Sequence, residues 1–190
     1  MAKIRQMLKT VLVRLGIDFY LKTPDRQVLE GHILPWLSRL PSFGRVLFVG
    51  CDWYTHGYRK WFKAPTYWTL DFDPAKKLYG SPLHITDSMA NLARHFAPGS
   101  LDLVICNGVF GWGLDARADV EAAFAAVGSA LKPGGLFLLG WNDVPEHRPL
   151  LLGSIEALKA LRPQLIEPLG ASQMLIDSPN RHTFNLYIKP

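Results

Sequence analysis

The stretch that most restricts the fold is Arg45-Val-Leu-Phe-Val-Gly-Cys-Asp-Trp-Tyr-Thr-His-Gly57. An apolar run, Val46 to Val49, stops abruptly at Gly50, and Thr55 then offers a helix N-cap. A buried parallel strand that breaks at a glycine and feeds a helix is how doubly wound α/β proteins hold nucleotide-like ligands. The turn itself is crowded. Asp52, Trp53 and Tyr54 stand where further glycines would let the backbone approach a ligand.

The chain has 190 residues, enough for one domain with a sizeable core, and 48% of them are hydrophobic. No apolar run approaches the roughly 18 residues that a membrane helix needs. Near the start, Lys9 and Arg14 bracket only four residues, which leaves no secretory core. Two cysteines, Cys51 and Cys106, argue against a disulfide scaffold and, without partnering histidines, against metal; packing roles in a reducing, cytoplasmic setting are expected. The formal charge of +5 sits mainly in residues 1–40, which hold seven Lys/Arg and three acids. Such a basic head is a solvated face or a contact for an anionic partner.

Ile4, Met7, Leu8, Val11, Leu12 and Leu15 form a helical stripe that Gly16 terminates. With Lys3, Arg5, Lys9 and Arg14 on its other faces, residues 3–15 can pack on the domain or meet a membrane surface or protein partner. Thr23 and Pro24 start a second helix with Leu29, Ile33, Trp36, Leu37 and Leu40 as its stripe, which Pro35 should kink or divide. Residues 1–42 read as a helical extension and 43–190 as the main domain.

Within that domain, strands are expected at 46–49, 67–70, 82–85, 101–106 and 136–139. Short helical segments should lie between them, with a longer helix through Val120, Phe124, Val127 and Leu131. Another helix is expected over 150–161, then two closing strands near 169–176 and 182–188. Alternation of strands and helices points to an α/β fold, a doubly wound Rossmann-like sheet of seven mostly parallel strands with helices on both faces and an antiparallel strand at the C-terminus. Ligands in such sheets bind at the carboxyl ends of the strands. Those ends gather Gly50–Tyr54, Asp71–Asp73, Asp87–Ser88, Asn107–Trp112 and Trp141–Asp143.

The order of Val49-Gly-Cys51, Leu70-Asp-Phe-Asp-Pro74, Thr86-Asp87, Leu101-Asp-Leu-Val-Ile-Cys-Asn107 and Leu131-Lys-Pro-Gly-Gly135, followed by a final strand pair, resembles the class I S-adenosylmethionine-dependent methyltransferases. The resemblance covers about residues 45–190 and implies S-adenosylmethionine as cofactor. It implies that Gly50, Cys51 and Asp52 lie against the cofactor, that Asp71 holds the adenosyl ribose beside Phe72, and that Asp87, with Ser88 and Met89, meets the adenine. Asn107 would lie beneath the sulfonium. Read from local pattern alone, Asp71 or Asp73 is equally a turn acid before Pro74, and Asp87 or Ser88 a helix cap.

Tyr54, Trp112, Trp141 and Asn142 are candidates for an acceptor pocket; Asp143, His147 and His56 add polar groups that could orient an acceptor. Either tryptophan could instead fill the core. No single residue is singled out as catalytic, because methyl transfer from an activated donor needs alignment more than chemistry. Asn107-Gly-Val-Phe110 lacks both prolines of the Asn-Pro-Pro-Tyr/Phe pattern of amine-directed nucleic-acid methyltransferases. A small-molecule or glycan-like acceptor is therefore expected, rather than nucleic acid. Phe48 replaces the acid that the family places before its glycine turn. Asp52 could stand in for that acid toward an ammonium, or repel a carboxylate. A methyltransferase-like domain that binds a partner without catalysis is the other reading of so altered a turn.

Overall fold

The computed structural model describes residues 11–13, 15–40, 44–62 and 66–190. Most of the 3–15 stripe lies outside the described residues. Residues 11–13 are helical, and the turn that follows ends at Gly16, whose φ of +82° is open to glycine at no cost.

Five strands run parallel: β1 (Val46–Val49), β2 (Tyr67–Asp71), β3 (Leu83–Thr86), β4 (Leu101–Asn107) and β5 (Leu131–Asn142). β6 (Arg162–Pro163), β7 (Gln173–Leu175) and β8 (His182–Ile188) complete the sheet, and all their pairings are antiparallel. The order is β3-β2-β1-β4-β5-β8-β6, with β7 also on β8. β6 faces Tyr187 and Ile188, and β7 faces Thr183 to Asn185, so the two share the outer edge of β8. The two-residue β6 raises the count to eight strands where the pattern pointed to seven. β5 extends beyond 136–139 because it pairs on both sides, with β4 and with β8.

Apolar runs make β1 and β4 wholly buried, as strands covered on two faces must be. On one face, helix α3 (Arg117–Ala130) lays Val120, Phe124 and Val127 against Val104, Cys106, Phe137 and Leu139. On the other, α1 (Pro24–Val28) continues through a π-helical turn, Leu29–Ile33, into α2 (Leu34–Leu37). The wider turn precedes Pro35, which has no N–H to donate, so the helix is divided there as its sequence required. Leu29, Ile33, Leu34 and Leu37 share a core with Val46, Phe48, Leu103 and Ile105.

Among the described residues, the crossovers after β1, β2 and β3 are 3-10 turns: His56–Lys60, Pro74–Tyr79 and Met89–Arg94. The helix expected over 150–161 is likewise replaced by two such turns, Leu152–Ser154 and Glu156–Ala160. Ile155 between them is extended and fully buried. Glu121 on α3 accepts the N–H groups of Glu156 and Ala157, each at 2.9 Å, taking donors that a continuous helix would have used internally.

Asp102, at the start of β4, accepts the N–H groups of Gly44 (2.9 Å) and Arg45 (2.7 Å) and the Lys132 ammonium (2.8 Å). It therefore ties the starts of β1, β4 and β5 together. Asp102→Ala should lower stability by about 1–3 kcal/mol, the cost of stranding such donors. Urea unfolding would measure it, and an unchanged midpoint would refute the tie.

Candidate functional site at the ends of the parallel strands

From β1 the chain moves outward to β2 and β3 in one direction, and from β4 to β5 in the other. The reversal lies between β1 and β4, the place where open α/β sheets bind their ligands. Gly50 follows β1 with φ +91°, and a Cβ there would lie 2.5 Å from Val109 Cγ2 and 3.6 Å from the Asn107 carbonyl. The β1 turn thus touches the β4 turn backbone-first. The β4 turn is itself glycine-rich, with Gly108, Gly111 and Gly113 all at positive φ.

Asp71 closes β2 and is buried. One carboxylate oxygen accepts the Cys51 N–H at 2.7 Å and the other the Asp73 N–H at 3.0 Å. Each oxygen keeps a second lone pair, so the group can still accept two further hydrogen bonds. Phe72 beside it is 67% exposed, and its ring reaches Gly113. Asp73 accepts the Ala75 N–H at 2.8 Å and caps the next turn.

Asp52 does not face an open ligand space alone. Its carboxylate accepts the Trp53 N–H and pairs with the Lys76 ammonium, both at 2.7 Å, linking the β1 turn to the segment after β2. Asp87 accepts the Ser88 N–H (2.7 Å), the Asn91 amide (2.7 Å) and a His95 ring N–H (2.8 Å). Those hydrogen bonds from Asn91 and His95 hold its carboxyl down at about 2. Ser88 caps the same turn through Ala90 N–H. Met89, expected to offer a surface to adenine, is instead buried in the core beneath this turn, because the cap turns it inward.

Asn107 and Asn142 come together through a residue that sequence reasoning missed. His182 places Nε2 3.1 Å from Asn107 Oδ1 and Nδ1 2.6 Å from Asn142 Oδ1. Burial pushes its imidazole down to about 4, so it is neutral at pH 7 and carries one N–H; its other nitrogen then needs an amide N–H from one of the two asparagines. The Asn107 side chain lies across Gly140, where a Cβ would collide with its Oδ1 and approach His182 Nε2. Asn107 Nδ2 is buried with no hydrogen-bond partner among the described residues. The antiparallel pairing was the available signal. It sets His182, the first residue of β8, opposite Asn142 at the ends of the parallel strands.

Arg26 was also missed, having been counted only with the basic head. It continues the α1 stripe of Leu29 and Ile33, a charge on an apolar face, and is 6% exposed. Nη1 donates to Tyr58 Oη at 2.9 Å, and the guanidinium lies 4.7 Å over the Tyr54 ring. Tyr58 in turn donates to Glu30 at 2.7 Å; burial raises the pKa of both groups.

Trp112 is exposed and stacks on His147 at 3.8 Å, while His147 Nδ1 donates to the Gly111 carbonyl at 3.0 Å. The segment after β5 is therefore laid over the β4 turn. Trp141, expected at the strand ends, is buried and donates to Asn185 at 2.9 Å. Strand alternation turns it to the face opposite Asn142, where with Arg148, Leu151 and Tyr187 it lines a cavity of about 530 Å³ on the α3 side. Asp143 pairs with Arg148 at 2.7 Å, and His56 with Asp18 at 2.9 Å. Cys51 and Cys106 are free, buried thiols, each pushed up to about 12 by burial.

No protein-family model matches the chain, and no curated protein matches it. Solved structures do. A TehB-like S-adenosylmethionine-dependent methyltransferase from Corynebacterium glutamicum superposes with a TM-score of 0.62 at 16% identity, covering 100% of this chain and 97% of that one. The N-methyltransferase NodS from Bradyrhizobium japonicum, solved with S-adenosylhomocysteine, gives 0.58 at 16% identity over 89% and 94%. A Thermus thermophilus 16S rRNA methyltransferase, RsmC, solved with S-adenosylmethionine and guanosine, gives 0.53 at 16% identity, over 83% of this chain and 38% of that one. This chain has the class I methyltransferase fold.

In that fold the residues at the ends of β1, β2 and β4 fit an adenosyl ligand. Asp71 has two acceptor positions left, Phe72 presents an exposed ring, and Gly50 adds no side chain of its own where it meets Val109.

Two outcomes follow from the Asn107–His182–Asn142 chain. The His182 ring should titrate near 4 by NMR rather than near its ordinary 6.5; a midpoint above 6 would contradict its buried, neutral state. Since the folded pKa is depressed, its contribution to stability is fully present above about pH 6.5 and declines as pH falls toward 4. Gly140→Ala should displace Asn107 and cost about 1–3 kcal/mol, the range for overpacking, as read from urea unfolding. An unaltered stability would show that the close approach is relaxed in solution.

Proposed function

We propose that this protein transfers a methyl group from S-adenosylmethionine to a small-molecule or glycan-like acceptor. The observation that carries this reading is the strand-order reversal between β1 and β4, with the Gly50 turn and the glycine-rich β4 turn beside it and Asp71, two acceptor positions free, at the end of β2. When bound, the cofactor supplies an activated methyl group on sulfur; the protein's contribution is alignment and exclusion of water.

In this reading, Asp71 accepts the ribose hydroxyls on its remaining lone pairs, Phe72 flanks the adenine, and Gly50, Cys51 and Asp52 border the ligand. Asp87 and Ser88 stand at the adenine edge, where Asp87 has little acceptor capacity beyond its own three bonds. Asn107 lies under the reacting end. Tyr54, Trp112 and Asn142 border the acceptor. Two features support a small acceptor: the segment after β5 narrows access by stacking His147 on Trp112, and the β4 turn lacks the two prolines of the nucleic-acid pattern. A binding domain without catalysis is the second reading, favoured by the Asp52–Lys76 pair that spans the β1 and β2 turns.

Calorimetric titration with S-adenosylmethionine and S-adenosylhomocysteine should show binding of both. A folded protein that binds neither would defeat the enzyme reading. Asp71→Ala should weaken S-adenosylhomocysteine at least tenfold, or about 1.4 kcal/mol. It should also lower thermal stability, since Cys51 and Asp73 lose their acceptor. Lower stability with unchanged affinity would leave Asp71 as a turn residue only.

A further inference from the structure

Trp141 and Tyr187 lie on the α3 face of the sheet, on the opposite side from Asn142 and His182. The cavity beside them, about 530 Å³, falls within the roughly 300–1,000 Å³ of small-molecule sites. Its outer wall is tethered to α3. The Glu121 carboxylate accepts the Glu156 and Ala157 N–H groups, and Arg117 Nη1 donates to the Ser154 carbonyl at 3.0 Å. That wall brings Leu152, Ile155, Leu158 and Leu161 to the cavity as its apolar lining, facing the Trp141 indole.

Polar groups converge on the same space. Asn185 lines it, and because an indole N–H can only donate, Trp141 Nε1 meets the Asn185 oxygen. The Asn185 NH2 is then the end turned away from the indole. Burial pushes the Tyr187 hydroxyl up to about 12, so it keeps its proton and stays a donor at neutral pH. Arg148, also in the lining, gives one Nη1 N–H to Asp143 at 2.7 Å, and a guanidinium carries five such donors. Lys159 pairs with Glu156 on the open surface, an ion pair that costs little to break.

The charges around the rim favour an anion. Arg148, Arg181 and Lys159 stand against Asp143 and Glu156, with Asp143 shared by both arginines, and the neighbouring Arg117–Glu121 pair is balanced. A ligand for this space has an apolar body for the leucines, Ile155 and the indole. Its head carries anionic oxygens for the guanidinium and ammonium donors.

We propose that the α3-side cavity binds an apolar organic acid, an alkyl or aryl carboxylate, with its head on Arg148 and Lys159 at the rim. The site is separate from the strand ends and stands whether or not S-adenosylmethionine binds there.

Octanoate, and octanol as its uncharged counterpart, are titrated into the full chain. Binding is followed by NMR at the Trp141 indole N–H, with the indoles of Trp112 at the strand ends and Trp36 on α2 as controls of position. Octanoate should shift the Trp141 signal saturably and leave the other two in place. Its affinity should exceed that of octanol by about tenfold, the scale of a hydrogen bond to a charged group. Arg148→Met should remove that advantage while binding octanol as wild type does. Lys159→Met, at an exposed position, takes its place where Arg148→Met does not fold, and should weaken octanoate alone. An unmoved Trp141 signal, equal shifts at all three indoles, or equal affinity for the two ligands overturns the proposal. Wild-type octanoate affinity in the folded variant overturns it as well.

Discussion

The Asp71 carboxylate is the interaction on which the strand-end architecture depends. Its two oxygens accept N–H groups from Cys51 and from Asp73, so one side chain fixes the turn after β1 and the turn after β2. The β1 turn cannot otherwise be held by its own helix, because the crossover that follows is a 3-10 turn. A charged acceptor buried between two backbone donors is stronger than a neutral one, and desolvation makes its loss more costly. Gly50 then completes the geometry, since only a residue without Cβ lets the fixed turn meet Val109. A position thus set by structure also keeps two carboxylate lone pairs free at the strand ends.

Strand positions were legible because buried parallel strands announce themselves as apolar runs punctuated by glycine, aspartate or asparagine. Val46–Val49 and Leu101–Cys106 are such runs, and the glycine stop at 132–135 marks the bend between α3 and the main part of β5. The segment at 150–161 was misleading for a physical reason. Its leucines recur at helical spacing, yet Gly153 interrupts them and the Glu121 carboxylate, distant in sequence, competes for its N–H groups. A local pattern cannot register a tertiary acceptor. Likewise Asp87 and Ser88 read as both ligand contacts and caps, and the capping contacts are the ones visible among protein atoms.

The polar corner above the α1-face core was almost illegible. Asn107, Asn142, His182 and Arg26 come from four separate segments, and only sheet register and helix docking bring them near one another. Each looks ordinary alone. Together they make a corner in which the histidine is neutral and the Arg26 charge stands beside Asp25.

The bulky Asp-Trp-Tyr sequence after Gly50 follows from the same economy of structure. Asp52 turns to Lys76, Trp53 meets Phe19 edge-on at 6.2 Å, and Tyr54 lies beneath Arg26. Phe19 belongs to a connecting segment that crosses the outside of the β1 turn, where Asp18 pairs with His56 and Arg59, and Lys60 donates to Tyr20. Gly57 leaves room for that segment, since a Cβ there would strike Tyr20 and Asp18. Side chains at 52–54 therefore point to neighbouring protein. They provide the lateral packing that a long helix after β1 would have supplied, and they hold α1, with Arg26, against the strand ends. A turn rich in glycine could approach a ligand more closely, but the Arg26 guanidinium would then keep only its Tyr58 hydrogen bond from this crossover and lose the Tyr54 ring.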